Sequence, residues 1–199
     1  GGVHLMSGGT INYTPVVDWL TGKAGNVYTQ FGEDGLIAAI FERIGTTNRH
    51  CFEIGAADGL FYSNTLRLRQ EGWYSVLIES DASQFAKLQR DYGDSACCIH
   101  ELTCDLDATL SKSNIDLVPD FGVIDIDGQD FWLWSDMQIY QPRVMLVEIA
   151  TSFADAAIPP RGGDGQAGLN AIADLGRSKG YKLMAHTYCN AVFLHESEA

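Results

Sequence analysis

Positive charge is what this sequence has least of. Thirteen Lys and Arg stand against 26 Asp and Glu, a formal net charge of −13. Tracking nucleic-acid phosphates or anionic lipid requires clustered basic side chains, so neither nucleic acid nor membrane is expected as a partner. Cysteine is also sparse. Cys51, Cys97, Cys98, Cys104 and Cys189 are odd in number, form no C-x-x-C pair and fall mostly in strand-like apolar runs. They read as buried reduced thiols rather than disulfides or zinc ligands, which points to the cytoplasm. No apolar run approaches the ~20 residues that cross a bilayer, and no charged-apolar-small signal pattern opens the chain. Repeats and low-complexity tracts are missing too. The opening GGVHLMSGG does not start with Met and is set aside as a stretch a vector could contribute.

What is present is an alternation of helical and extended patterns, the signature of an α/β domain with a parallel sheet. Residues 1–27 read as an N-terminal extension and 28–199 as one domain, long enough to bury a core without staples. Gln30–Asp34 leads into Leu36, Ile37, Ile40, Phe41 and Ile44, an apolar face of period 3.6 stopped by Gly45. Strands are expected at 50–54, 74–79, 96–101, 122–126 and 144–149, each apolar enough to be covered on both faces. Between them fall helices at 63–70, with Ser63 as N-cap, at 82–92, and a short one within 130–140. A loop at 151–168, rich in glycine and carrying Pro159-Pro160, is long enough to be a lid or binding loop. A helix at 169–179 and strands at 181–185 and 191–194 close the chain.

The stretch CFEIGAADGL, residues 51–60, places Glu53 inside a buried strand and follows it with a turn almost free of side chains. In an open α/β sheet the ligand sits at the carboxyl ends of the strands, so Gly55, Ala57 and Gly59 leave room for one to approach the backbone. The dinucleotide pattern Gly-x-Gly-x-x-Gly fails, because its third glycine falls on Leu60. Acid-x-Gly-x-Gly-x-Gly is met by Glu53, Gly55 and Gly59, with Ala57 in place of the middle glycine; this spacing is the first motif of class I methyltransferases, which bind S-adenosylmethionine. Glu79 ends the second strand twenty residues after Gly59, where a carboxylate accepts from both ribose hydroxyls. Asp105 is a candidate for the adenine amine, or a plain loop residue.

Asp125, Asp127, Asp130 and Glu148 offer hard oxygen ligands, but their spacing matches no ligand loop, so no metal is expected. Phe131, Trp132 and Trp134 read as core or lid packing, with stacking on a sugar or a sulfonium as the alternative. His186 and Asn190 fall near the same edge.

Taken in order, QFGED at 30–34, FEIGAADGLFYSNT at 52–65, GWYSVLIESD at 72–81, DFGVIDIDGQDFWLW at 120–134, PRVMLVEI at 142–149 and GYKLMAHTYCNAVFL at 180–194 give a chain that resembles the FkbM-type methyltransferases over residues 28–195. The resemblance implies a Rossmann-like class I fold, with a seven-stranded, mostly parallel sheet whose last strand is antiparallel and helices on both faces. It also implies S-adenosylmethionine as cofactor and methyl transfer to a hydroxyl of a sugar or small metabolite. Cofactor contacts are then expected from Glu53, Gly55, Ala56, Ala57, Asp58, Gly59, Glu79, Ser80, Asp105 and Asp125. Asp125 and Asp127 face donor and acceptor as catalytic candidates, and Gln30–Asp34 folds over the cofactor. Two departures stand out: Ala57 at the middle glycine, and EIAT at 148–151 where the family usually has Asn after the Glu. The rival readings are a dinucleotide-dependent oxidoreductase and a non-catalytic S-adenosylmethionine-binding relative.

Overall fold

The computed structural model describes residues 12–150 and 156–198. GGVHLMSGG and residues 151–155 of the long loop lie outside them. In chain order the elements are β1 (Tyr13–Pro15), α1 (Glu33–Ile44), β2 (His50–Ile54), α2 (Leu66–Gln70), β3 (Tyr74–Glu79), α3 (Ala82–Tyr92), β4 (Cys97–His100), α4 (Leu106–Leu110), β5 (Phe121–Ile124), α5 (Asp130–Asp136), β6 (Val144–Glu148), α6 (Leu169–Ser178), β7 (Tyr181–Thr187) and β8 (Asn190–His195).

The sheet runs β1-β7-β8-β6-β5-β2-β3-β4. From β6 to β4 all neighbours are parallel, and β8 lies antiparallel to both β6 and β7. The expected antiparallel last strand is therefore present, on a Rossmann-like frame. The strand count differs from the expected seven: β1, within the stretch read as an extension, pairs antiparallel with β7 and makes eight. Three residues ending in proline show no periodicity, and Pro15 is tolerated because β1 is an edge.

Side chains alternate across the strands and feed two cores. Phe52, Ile54, Val76, Ile78, Ile124 and Val147 pack on one face with Trp134 of α5 and Ile172 of α6. Cys51, Val123 and Leu146 pack on the other with Leu36, Ile37, Ile40 and Phe41 of α1, the period-3.6 face seen in the sequence. Each such buried side chain stabilises by roughly 1.5–3 kcal/mol, which fixes strand register against slippage.

Buried acids set the ends of two helices: α2 is shorter than the 63–70 the sequence indicated, and α5 is the short helix expected within 130–140. α2 begins at Leu66 because Ser63, Asn64 and Thr65 turn inward to Glu53; Ser63 is not its N-cap. α5 ends at Asp136 because the N–H groups of Gln138, Ile139 and Tyr140 donate to the Asp107 carboxylate at 2.6, 3.0 and 3.1 Å. α4, which the sequence reading missed, carries that Asp107. Its carboxylate accepts from these three amides, which therefore need no helical partner. The thiols also need a correction: Cys51 is buried, but Cys97, Cys98 and Cys189 are half-buried and Cys104 is exposed. No helix among the described residues is long and apolar enough to cross a membrane.

Candidate active site

Ile54, Ile78, Ile124 and Val147 stand in one register row across β2, β3, β5 and β6, and Ala191 of β8 continues it. In the next row along the same edge stand Gly55, Glu79, Asp125 and Glu148, with Asn190, the first residue of antiparallel β8, opposite Glu148. The chemistry-bearing residues thus share the carboxyl edge of the sheet, where an open α/β fold binds its ligand. Gly55 has to be glycine. Its φ is 82°, and a Cβ there would lie 1.6 Å from the Asp125 carbonyl oxygen, so the exits of β2 and β5 touch backbone to backbone.

A cavity of about 770 Å³ opens at this edge, within the range for a cofactor-sized ligand. Its wall includes Ile54, Gly55 and Ala57 after β2, Glu79 and Ser80 after β3, Glu101–Cys104 after β4 and Asp125–Gln129 after β5. Trp132, Leu133 and Asp136 of α5 and Arg161–Gly165 of the long loop complete it. Of the residues singled out in sequence, Gly55, Ala57, Glu79, Ser80, Asp125 and Asp127 are brought together here.

The other expected cofactor contacts are not on the wall. Glu53 is buried and accepts from Ser63 Oγ at 2.7 Å, Asn64 N at 2.8 Å and Thr65 Oγ1 at 2.5 Å, so it anchors the turn from behind. Ala56 is buried in a small core with Leu77 and Leu88. Asp58 caps its own turn, accepting from Leu60 N and Phe61 N. A Cβ on Gly59 would meet Leu88 Cδ1 at 2.6 Å, so that glycine serves helix packing. Asp105 caps α4 through Ala108 N at 3.0 Å, the plain role allowed for it. Nor does Gln30–Asp34 line the cavity: Asp34 gathers Val27 N, Tyr28 N and Thr29 N, and Glu33 takes Phe31 N, Thr187 Oγ1 and Asn190 Nδ2. His186 is half-buried, with Nδ1 3.4 Å from the Thr187 carbonyl oxygen.

Glu79 holds the turn as well as facing the cavity. It accepts from Ala57 N at 2.7 Å and Asp81 N at 2.6 Å. A carboxylate offers about four lone-pair positions, so two remain for ligand hydroxyls.

Asp125 and Asp127 do not lie two apart on a strand, as their spacing implied. β5 stops at Ile124, and Asp127 sits at φ 59°, exposed, with its N–H donating to Glu148 Oε2 at 2.8 Å. No N–H or O–H among the described residues donates to the Asp125 carboxylate. Burial, reinforced by Glu148, pushes its pKa up to about 8. Burial likewise raises Glu148, with Asp130 adding to it, and raises Asp130 to about 7 although Ile126 N and Gly128 N donate to it. A carboxylic acid near neutral pKa in a cleft is suited to proton transfer. No group of three or more His, Cys, Asp or Glu among the described residues is arranged to hold a metal ion.

The aromatic run divides. Trp134 is buried against Tyr181 and Phe193, whereas Trp132 lines the cavity and donates Nε1–H to the Pro159 carbonyl at 2.9 Å. Sequence reasoning missed Gln129, which binds the long loop through its side chain; its only trace was the DGQD turn after β5.

No protein-family model and no curated protein matches the chain. Solved structures do. An O-methyltransferase from Bacillus cereus, in complex with SAH, superposes with TM-score 0.55 at 14% identity, over 87% of this chain and 84% of that one. Fibrillarin from Methanococcus jannaschii, a pre-rRNA processing protein, gives 0.56 at 10% identity over 77% and 69%. A candidate sarcosine dimethylglycine methyltransferase from Galdieria sulphuraria gives 0.51 at 14% over 75% of this chain, which spans 61% of that protein's length. Identities this low speak to architecture: the chain has the Rossmann-like fold of class I methyltransferases.

Proposed function

We propose that the protein is an S-adenosylmethionine-dependent methyltransferase of the FkbM type that methylates a hydroxyl on a sugar or small metabolite. The charge of the cavity carries this reading. Glu79, Glu101, Asp125, Asp127, Asp136 and Asp164 line it against a single cation, Arg161, which is already paired with Asp136. S-adenosylmethionine, with a sulfonium and an ammonium against one carboxylate, suits such a wall. A dinucleotide pyrophosphate does not: it needs a helix N-terminus just past the bare turn, and α2 starts only at Leu66.

When bound, the cofactor supplies a methyl group on a positively charged sulfur. In this reading Glu79 accepts from the ribose, Gly55 and Ala57 let the ligand reach the backbone, and Trp132 and Leu133 supply apolar wall. Asp125 takes the proton of the acceptor hydroxyl. Its carboxyl, held protonated by burial, becomes a competent base once positive charge stands beside it. The fold's main contribution is alignment of the acceptor oxygen with the methyl carbon, which supplies ~7–11 kcal/mol where geometry is ideal.

Calorimetric titration with S-adenosylmethionine, its demethylated product and NADH tests the cofactor. The first two should bind and NADH should not; binding of NADH alone overturns the reading. Mass-spectrometric screening of a glycan and hydroxylated-metabolite library, with structured RNA as a further arm, then tests the acceptor. Methylated RNA and unmodified small molecules would replace the acceptor assignment.

A further inference from the structure

The Gln129 side chain makes three hydrogen bonds to the loop wall of the cavity. Gln129 precedes α5 and uses both ends of its amide on a single turn of the loop. Nε2 donates to the Pro160 carbonyl at 3.0 Å and the Gly163 carbonyl at 2.7 Å, and Oε1 accepts from Gly162 N at 2.7 Å. The residue adopts φ 65°, a conformation that disfavours a side chain, so glycine would be the easier choice here. Beside it, a Cβ on Gly128 would come within 3.2 Å of the Gly165 carbonyl oxygen, so loop and β5 exit are in close contact. Further attachments come from the same helix: Trp132 Nε1 to the Pro159 carbonyl, the Arg161 guanidinium 4.2 Å above the Trp132 ring, and Arg161 Nη2 3.1 Å from Asp136 Oδ1.

We propose that Gln129 is a positioning residue for the cofactor: it fixes the 159–163 turn so that residues 161–165 form a ready-made wall of the cavity. The inference rests on the methyltransferase reading. Its physical core is an imbalance between stability and binding. Pro160, Arg161 and Gly162 are exposed, so backbone groups freed by loss of the Gln129 amide would be rehydrated at small cost to the fold. A loosened turn, however, must be ordered again each time a ligand binds, and that ordering entropy comes out of the affinity. A side chain that merely supported the structure would show the reverse pattern.

The experiment uses the full chain with Gln129→Gly and Gln129→Glu. Glycine relieves the positive φ and deletes all three bonds, while Glu keeps the reach but sets a carboxylate against two carbonyls. Three quantities are measured: the midpoint of thermal unfolding, hydrogen exchange over 159–165, and the calorimetric Kd for the demethylated cofactor. For Gln129→Gly the midpoint should hold or rise, exchange in the turn should quicken, and Kd should weaken about tenfold with a less favourable entropy. Gln129→Glu should weaken binding in the same direction. A Kd within threefold of wild type in both variants overturns the inference, as does unchanged exchange, or a midpoint that falls in Gln129→Gly in step with affinity. A wild-type protein that does not bind the demethylated cofactor overturns the proposed function instead.

Discussion

Glu53 and Asp125 stand near the carboxyl ends of adjacent strands, β2 and β5, the first buried and the second half-buried on the cavity wall. Glu53 receives three hydrogen bonds from the residues that follow it; Asp125 receives none from the described residues. The first carboxylate is spent on the protein, shaping the 55–65 turn and cutting α2 short. The second is left with its hydrogen-bonding capacity unspent, facing the cavity with Glu148 nearby and a raised pKa. Acidity at a strand end therefore says little about role, whereas the donor count separates a structural anchor from a carboxyl still free to meet a ligand.

Glu53→Ala should break the comparison most severely. It leaves two hydroxyls and an amide without their charged acceptor in a buried site, at a cost of about 3 kcal/mol or more in denaturant unfolding. A loss below about 1 kcal/mol would show that the turn does not depend on Glu53. Asp125→Asn should do the opposite, sparing the fold and losing turnover by ~10²-fold, about 2.7 kcal/mol, with cofactor affinity within about threefold. The pH dependence sharpens this. Because the folded-state pKa of Asp125 is raised, the folded protein holds a proton there that the unfolded chain releases near pH 4. The group thus lowers stability as pH rises from about 4 to about 8, and Asp125→Asn should flatten that slope. Normal turnover in Asp125→Asn would move the proton transfer elsewhere. Glu79→Gln is the mildest test, since one acceptor oxygen survives; cofactor affinity should fall about tenfold, about 1.4 kcal/mol, and unchanged binding would remove Glu79 from the ribose.

Much of this architecture was legible in the sequence, and the misses have causes. Buried parallel strands such as Val144–Glu148 announce themselves through continuous apolar runs, and α1 through its repeat of Leu36, Ile37, Ile40 and Phe41. The helix start at Ser63 was misread because a carboxylate outside the helix, Glu53, captures a backbone N–H group and two hydroxyls that local propensity assigns to a helix N-terminus. At the site, the bare turn and Glu79 were visible as spacing. The division between wall residues such as Gly55 and backing residues such as Ala56 was not, because it depends on how α3 packs beneath the turn. Gln129 escaped notice since a lone glutamine has no signature until its partners, thirty residues on, are in place.

The outermost pair of strands bears on the order in which the chain assembles. β1 pairs with β7 through Tyr13 and Thr187, and Thr187 also donates to Glu33, 154 residues away in sequence. The N-terminal strand and the head of α1 thus find their partners only after β7 has been made and seated against β8. Loop closure over such a span is entropically costly and slow, so β1 and the Glu33 contacts belong to the late steps of folding. On a ribosome, β1 emerges before every other described strand of this sheet, yet it is among the last to be paired.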